Sequence, residues 1–471
     1  MESTDEHAME SDTDLISVLP GEVLQHILSF SRIRAIVRMR RLSRRWMRVI
    51  ECLQFICLDY RDFKHWKVEK FARFVDNLLL IRSKVDLHTF QLYWFHYLPL
   101  NCNDLRKWIL YAVKHNVKVL DVELDMYDKT ALPSRIFTCR SVEELSLQMG
   151  EAPDEDLEHV GLVLPDIIQL PSLKKLTLSD VEVDQLSLNQ FIGRSPNLED
   201  LHLINSATYL DLIASKVLKR LTLDGFMHGP KRFTISAPHL VHFECQGCAL
   251  QDVSWGEKPS LESAHIDTWG KKYDGESEFI GVLLSAKTLA LFGSDVKVML
   301  EKELPACPVF ERLTTLEIGN WCLTEDFYAV LRFLQLSPRL GELTLMQEEL
   351  PHAARKGAET DAMPIDGMTF QCPFLETVII QCSKGDDGIN KLVNVLAANG
   401  INPKKIQVNF YEDIEEMERA ENRRIIEERE KELCNFEKMA KKNPEWVDES
   451  RYADSNPETD SDEYDDDYDD F

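Results

Sequence analysis

Across 471 residues the chain has no apolar run approaching the roughly 20 residues needed to cross a bilayer; the longest, Asn77–Ile81 and Phe279–Ala286, stop far short. Its first fourteen residues hold six carboxylates, no lysine or arginine, and no apolar stretch of the kind a secretory signal needs. Positive charge is scarce: 54 Lys and Arg stand against 81 Asp and Glu, a net charge of −27. A general nucleic-acid binder needs a basic face to displace counterions from phosphates, so no direct nucleic-acid partner is expected. The sequence lacks H-E-x-x-H, G-x-S-x-G and P-loop motifs, and no histidine has a sequence-visible base or orienting group. Catalysis, a cofactor and a membrane partner are therefore not expected. The 11 cysteines are odd in number and scattered, which fits reduced thiols in the cytoplasm or nucleus. What the chain does have is 44% hydrophobic residues, enough for a packed core.

Charge divides the chain. Between Ser31 and Arg48 the sign reverses, with Arg32, Arg34, Arg38, Arg40, Arg41, Arg44, Arg45 and Arg48 and no carboxylate. From Trp446 to Phe471, twelve acids face a single Arg451. Like charges at that density repel, and few apolar residues offset the ordering entropy, so residues 1–13 and 444–471 are expected to be disordered.

A small helical module is expected over 14–56. Leu19-Pro20 precedes GEVLQHILSF, and proline suits a first helical position because its missing N–H has no intrahelical partner there. Val23, Leu24, Ile27 and Leu28 recur at helical spacing. Ile33, Ile36 and Val37 mark a second short helix, and Ser43 is placed to cap a third carrying Trp46 and Val49. So small a core should lean on a neighbour or partner. Its arginines can be read as a solvated helix face or as a nucleic-acid or nuclear-address patch, and their interleaving with Ile36, Val37, Met39, Leu42 and Trp46 at helical intervals is explained as well by an amphipathic helix.

Behind this module the pattern L-x-x-L-x-L returns, as in Leu173/Leu176/Leu178, Leu198/Leu201/Leu203, Leu218/Leu221/Leu223, Leu313/Leu316/Ile318 and Leu340/Leu343/Leu345. With degenerate copies there are eleven starts between residues 117 and 375, a mean spacing of about 26 residues, inside the leucine-rich-repeat window. Leu87/Phe90/Leu92 and Ile406/Val408 extend the series at front and rear. The fold class is thus α/β: an N-terminal three-helix module, then an irregular leucine-rich-repeat solenoid over 57–411 with parallel strands on the concave side and helices or turns on the convex side. Phe327–Leu336 and Lys391–Ala398 have helical patterns, whereas the 20–22-residue copies between Leu218 and Leu261 leave room for turns alone. Met346–Phe370 reads as a long surface loop, and 412–443 as a charged helix with Glu415/Arg419 and Glu427/Lys431 pairs.

Two sets of residues carry a family resemblance. Ile16-Ser17-Val18-Leu19-Pro20, Glu22-Val23-Leu24, Ile27-Leu28-Ser29-Phe30 and Leu42-Ser43-Arg44-Arg45-Trp46 resemble an F-box of the plant type. Trp108–Leu120, Leu132–Leu145 and the closing Cys372–Phe410 are similar to recurring phrases of plant F-box/leucine-rich-repeat proteins, the last to their FBD-type segment, here 372–411. The resemblance implies the non-catalytic substrate-recognition subunit of a Skp–cullin–F-box ubiquitin ligase. It places a Skp-type adaptor, and through it a cullin, on Leu19, Pro20, Val23, Leu24, Ile27, Leu28, Val37, Leu42 and Trp46. Ser31-Arg32 and Arg40-Arg41 depart from the family pattern. The alternative is an adaptor-independent repeat scaffold whose acidic tail binds basic partners.

In each repeat strand the residue between the last two apolar positions should face the concave side: Thr177, His202, Thr222, Glu244, His265, Glu317, Thr344 and Ile379. This row lacks Lys and Arg, which disfavours an anionic ligand and favours an unidentified protein substrate. His239, His242, Cys245 and Cys248 sit at intervals of three, a spacing that invites a zinc reading. That spacing is also the repeat itself, and on a strand His242 points opposite to Cys245, so no metal site is expected.

Overall fold

The computed structural model describes residues 19–414 apart from 64–65, 95–101, 125–131, 151–161, 163, 207–209, 226–232, 248, 269–278, 320–326, 348–371 and 385–386, together with 416–417, 419–420, 423–424 and 431. The expected disorder of both termini and the long loop over 346–370 therefore lie almost wholly outside the described residues. Two compact units are present: one formed by Met1–Ile380 with Asp387–Gln407, the other by Gln381–Asp386 with Val408–Phe471.

The first unit opens with three short helices: α1 (Gly21–Ser29), α2 (Ile33–Met39) and α3 (Arg44–Glu51). Pro20 precedes α1 with an extended backbone, and the Ser43 hydroxyl accepts the Trp46 N–H at 3.2 Å, capping α3. Leu24, Leu28, Ile33, Ile36, Val49 and Ile50 are buried and form the core shared by the helices.

Then come the strands. Along the chain they are β1 (Phe55–Asp59), β2 (Thr89–Trp94), β3 (Val119–Leu124), β4 (Glu144–Met149), β5 (Lys175–Ser179), β6 (Asp200–Ile204), β7 (Leu212–Ala214), β8 (Arg220–Asp224), β9 (Phe233–Ser236), β10 (His242–Gln246), β11 (Val253–Trp255), β12 (Ser263–Asp267), β13 (Thr288–Phe292), β14 (Thr315–Ile318), β15 (Glu342–Met346), β16 (Thr377–Cys382) and β17 (Ile406–Phe410). Fourteen of them form one sheet in chain order, skipping β7, β9 and β11. Neighbours from β1 to β15 pair in parallel, so every connection is a crossover. The period-2 pattern explains why each segment is a strand: in β6, for example, Leu201 and Leu203 are fully buried while Asp200, His202 and Ile204 are half-exposed. One face of the sheet is packed under the connectors and the other is open. This is the α/β repeat architecture expected from the leucine spacing.

The array begins earlier than residue 57, with a copy of the pattern at Leu53/Ile56/Leu58. β1 opens at Phe55, so a module boundary at 56/57 cuts through the first rung, whose Ile56 and Leu58 are fully buried. The connectors differ in kind. Helices α4 (Val68–Ile81), α5 (Cys102–Lys114), α6 (Gln185–Arg194), α7 (Ile280–Leu283), α8 (Ser294–Glu303), α9 (Tyr328–Leu336) and α10 (Asp387–Ala398) occupy the longer ones. The short copies between β6 and β12 are not mere turns, as their length suggested. Each carries one extra strand, and β11-β9-β7 form a second parallel sheet. About twenty residues are too few for a strand, a helix and two turns, yet an extended connector still needs partners for its N–H and C=O groups. Neighbouring copies of the same length supply them.

A left-handed residue ends many strands. Asp180, Asn205, Gly225, Gly247 and Gly293 have φ between 46° and 87° immediately after β5, β6, β8, β10 and β13. At Gly225 a Cβ would lie 2.0 Å from the Asn205 side-chain oxygen, so both backbone angle and space require glycine.

In the second unit, helical residues begin at 411 and continue at 416–417, 419–420 and 423–424. The backbone N–H of Lys384 donates to the Glu412 carboxylate at 3.0 and 3.2 Å, and its ammonium donates to Asp413.

Candidate functional site

Two surfaces of the first unit present chemistry that the fold does not consume. The first is on α1. Val23, Ile27 and Phe30 stand at spacings of four and three, on one side of the helix, and are 41%, 48% and 81% exposed. Leu42, before α3, is 67% exposed. Scattered exposed aliphatics are ordinary, but a row along one helix face is a contiguous apolar patch of the kind that marks an interface. The His26 ring packs edge-on against Phe30 at 5.1 Å.

The nine residues carried over from the F-box resemblance separate into three groups. Pro20, Val23, Ile27 and Leu42 are exposed; Leu19, Val37 and Trp46 are half-buried. Leu24 and Leu28 are 2% exposed and point into the helical core, so their place in the contact set is corrected. They sit one position past Val23 and Ile27, a turn of about 100° that carries them off the exposed row and onto the buried face. Phe30 belongs with the exposed row and was missing from the set.

The two departures from the family pattern have local partners. The Arg32 guanidinium pairs with Asp62 at 3.3 Å, and Arg40 pairs with Glu51 at 3.4 Å. Burial raises the Asp62 carboxyl, with Arg32 and Arg34 acting against that rise. Arg34 donates to the Asp62 carbonyl at 2.9 Å and lies over the Trp66 and Phe63 rings at 4.9 and 5.5 Å. Arg45 donates to the Leu19 carbonyl. Arg48 donates to the Arg44 carbonyl at 3.4 Å, so at least five of the eight arginines in the patch have partners within the chain.

Between α3 and β2 the chain is clasped by Arg82, which is 7% exposed. Its guanidinium donates to the carbonyls of Leu53 (2.6 Å) and Asp86 (2.8 Å) and to the Tyr111 hydroxyl (3.3 Å). An aromatic cluster continues the junction: Tyr60 packs on Trp94 at 4.2 Å and on Phe71 at 5.3 Å, and Phe71 on Trp108 at 5.7 Å.

The second surface is the open face of the large sheet. In register across the strands, Thr177, His202, Thr222, Glu244 and His265 stand in one row, which continues through Ala290 to Glu317 and Thr344. Toward β1 the same row runs through Ser146, Asp121, Gln91 and Cys57. Ile379 is half-exposed on β16. Two residues farther along each strand lies a second row, which the leucine pattern did not single out: Tyr93, Glu123, Gln148, Ser179, Ile204, Asp224, Gln246, Asp267 and Phe292.

Hydrogen bonds knit these rows. Tyr93 donates to Asp121 at 2.6 Å, and Gln91 donates to the Tyr93 oxygen at 2.8 Å. Thr222 and Gln246 donate to Glu244 at 3.2 and 2.7 Å. Burial lowers the His202 imidazole, with Lys175 adding to the effect. Burial likewise raises Asp267, with Asp224 nearby, while His265 works against the rise.

The remaining candidates offer less. Burial pushes the thiols of Cys57, Cys307 and Cys372 up to about 11, which keeps them protonated and poorly nucleophilic at neutral pH. Cys245 is fully buried while His239 and His242 are exposed, so the zinc-like spacing does not converge; Cys248 lies outside the described residues. Among the described residues no three His, Cys, Asp or Glu are grouped to hold a metal, and no helix is long and apolar enough to cross a membrane. A groove of about 640 Å³ lies between α4 and α5, lined by Leu79, Leu80, Leu110 and Lys114 among others.

With this geometry in place, the comparisons agree. A leucine-rich-repeat family model described as "At1g61320/AtMIF1, LRR domain" matches residues 78–369, and the F-box domain model matches residues 16–58. The chain belongs to the plant F-box/leucine-rich-repeat proteins. Among its relatives in Arabidopsis thaliana, "F-box/LRR-repeat protein At4g14103" is 27% identical over 384 residues, covering 74% of this chain and 94% of that one. "FBD-associated F-box protein At4g10400" is 29% identical over 352 residues, 72% and 79% of the two chains. "F-box/FBD/LRR-repeat protein At1g78750" is 25% identical over 442 residues, 86% and 92% of the two chains.

Proposed function

We propose that this chain is the target-recognition subunit of a Skp–cullin–F-box ubiquitin ligase and works in the nucleus or cytoplasm. The α1 ridge docks on a Skp-type adaptor, which links it to a cullin. The open sheet face holds a protein target. Ubiquitin transfer follows from proximity to a conjugating enzyme on the same assembly, and this chain makes and breaks no bond itself. The observation carrying the reading is the uncovered row Val23, Ile27 and Phe30 beside a fully buried Leu24/Leu28 pair. The helix has a satisfied core on one side and, on the other, an apolar face that the repeats leave open.

The test is co-expression of the full chain with a Skp-type adaptor and affinity capture. The wild type should retain the adaptor, and the double variant Ile27→Glu with Phe30→Glu should lose it while keeping the wild-type unfolding midpoint. A folded wild-type chain that captures no adaptor would overturn the proposal in favour of an adaptor-independent scaffold.

A further inference from the structure

The open face of the sheet is divided by charge. Along its lower edge, at and just before the strand starts, each of four cations is tied to an acid: Lys174 to Glu143 (2.6 Å), Lys219 to Glu199 (2.9 Å), Arg220 to Asp200 (2.6 Å) and Lys287 to Glu262 (3.1 Å). That edge neutralises itself. The two rows above it contain no Lys or Arg at any strand from β1 to β14.

Yet those rows are rich in carboxylates. Asp121, Asp224, Glu244, Asp267 and Glu317 are all half-buried, and among the described residues none is held by a Lys or Arg. The donors to Glu244 are Thr222 and Gln246, and those to Asp121 are Tyr93 and Gln91, all neutral. One oxygen of Asp267 is shut away from solvent with no hydrogen-bond partner. Beside it in register stands Phe292, whose ring lies 5.4 Å from the His265 ring, a flat surface of the kind guanidinium groups stack on. Like charges drawn partly out of water repel and favour a counter-charge supplied from outside.

The spacing favours a chain over an ion. From β3 to β14 there are eight strand intervals, or about 38 Å, which matches roughly twelve residues of extended peptide. We infer that the middle and upper rows of the open face are the docking surface for an extended Lys/Arg-rich segment of the target protein. Asp224, Glu244 and Asp267 face its cations, and Phe292 offers one of them a ring. The inference rests on the target-receptor reading and names the chemical class of the target.

The test uses the full chain bound to its adaptor and a synthetic twelve-residue peptide of alternating Arg and Ser, followed by fluorescence anisotropy at several salt concentrations. A Glu/Ser peptide of equal length is the counterpart. The intact chain should bind the Arg peptide and not the Glu peptide. Asp224→Asn, Glu244→Gln and Asp267→Asn together should weaken binding about tenfold or more and flatten its salt dependence. Glu199→Gln with Glu262→Gln on the lower edge should leave it unchanged. So should replacing the twelve acids of 446–471 by Asn and Gln.

No binding to the intact chain, equal binding by the triple variant, or loss through the lower-edge or tail substitutions would each overturn the inference. Adaptor capture is read in parallel. Capture retained without peptide binding defeats this inference alone, whereas absence of capture defeats the receptor reading.

Discussion

The helical module and the repeat array treat apolar side chains in opposite ways. Within the array the leucines of the large sheet are sealed; Leu176, Leu178, Leu201, Leu203 and Leu223 are fully buried, and the open face is mainly polar, interrupted by Ile204, Phe292 and Ile379. The F-box, with three helices of nine, seven and eight residues, leaves Val23, Ile27, Phe30 and Leu42 outside its core. Along its sheet a stack of repeats gives each strand's apolar side a neighbour, leaving exposed aliphatics such as Leu80 and Leu110 to the connectors, while a three-helix unit runs out of neighbours on one side. The difference teaches where to look for partners. In the small module the exposed grease is the signal. In the array it is the charge left unbalanced on the open face.

The sharpest way to break this comparison is a matched pair of truncations. Leu223→Ala removes buried methyl groups from the middle of the array and should lower stability by about 2–5 kcal/mol, because the stacked strands around it cannot collapse into the space. Ile27→Ala removes similar atoms from the ridge and should change the urea midpoint by no more than about 0.5 kcal/mol while weakening adaptor capture. Equal losses of stability would show the ridge to be core after all.

The junction between the two regions sets the next largest effect. Arg82 holds the Leu53 and Asp86 carbonyls and the Tyr111 hydroxyl in a nearly water-free site. Arg82→Met keeps much of the volume but leaves those acceptors unmatched, and should cost about 2–4 kcal/mol in urea unfolding. A loss under 1 kcal/mol would mean that water replaces the guanidinium and that the clasp is incidental.

Much of this was legible beforehand, for a physical reason. Leucines at alternate positions mark a strand whose partners come from neighbouring copies, so the L-x-x-L-x-L spacing located β5, β6, β8, β14 and β15 directly, and the row through Thr177, His202 and Thr222 followed from alternation. Most of what stayed hidden depends on distant contacts. β1 carries the same pattern, as Leu53/Ile56/Leu58, but that stretch also falls within the span expected for the helical module, which hid it; β7, β9 and β11 exist as strands because of one another. On α1 the motif identified the right helix but not its rotation; the burial of Leu24 and Leu28 depends on packing against α3. The unpaired state of Asp224 and Asp267 was beyond reach too, since only register shows which side chains stand beside them.

The smallest effect concerns the carboxylates of the two edges, and its signs are opposite. Glu143, Glu199 and Glu262 are held below the usual glutamate value near 4.5, chiefly by hydrogen bonds from Lys174 and Lys118, from Lys219 and from Lys287 respectively. A lowered folded value means that the native state binds fewer protons than the unfolded chain. The stabilisation is present in full above the unfolded value and disappears as the pH falls through the folded one. Asp267 behaves in reverse: burial raises it above the usual aspartate value of 3.8, so its charged form disfavours the native state and its protonation at acid pH relieves that strain. Urea midpoints followed from pH 7 downward separate the two. Glu199→Gln with Glu262→Gln should lower the midpoint slightly at pH 7, less so in high salt, because these pairs are solvent-exposed. The deficit should vanish in acid. Asp267→Asn should raise the midpoint at pH 7, and that gain should shrink as the wild-type carboxyl takes up its proton. If Asp267→Asn instead lowers the midpoint at pH 7, the carboxylate already has a stabilising partner, and the contrast between a neutralised lower edge and an unbalanced upper face is lost.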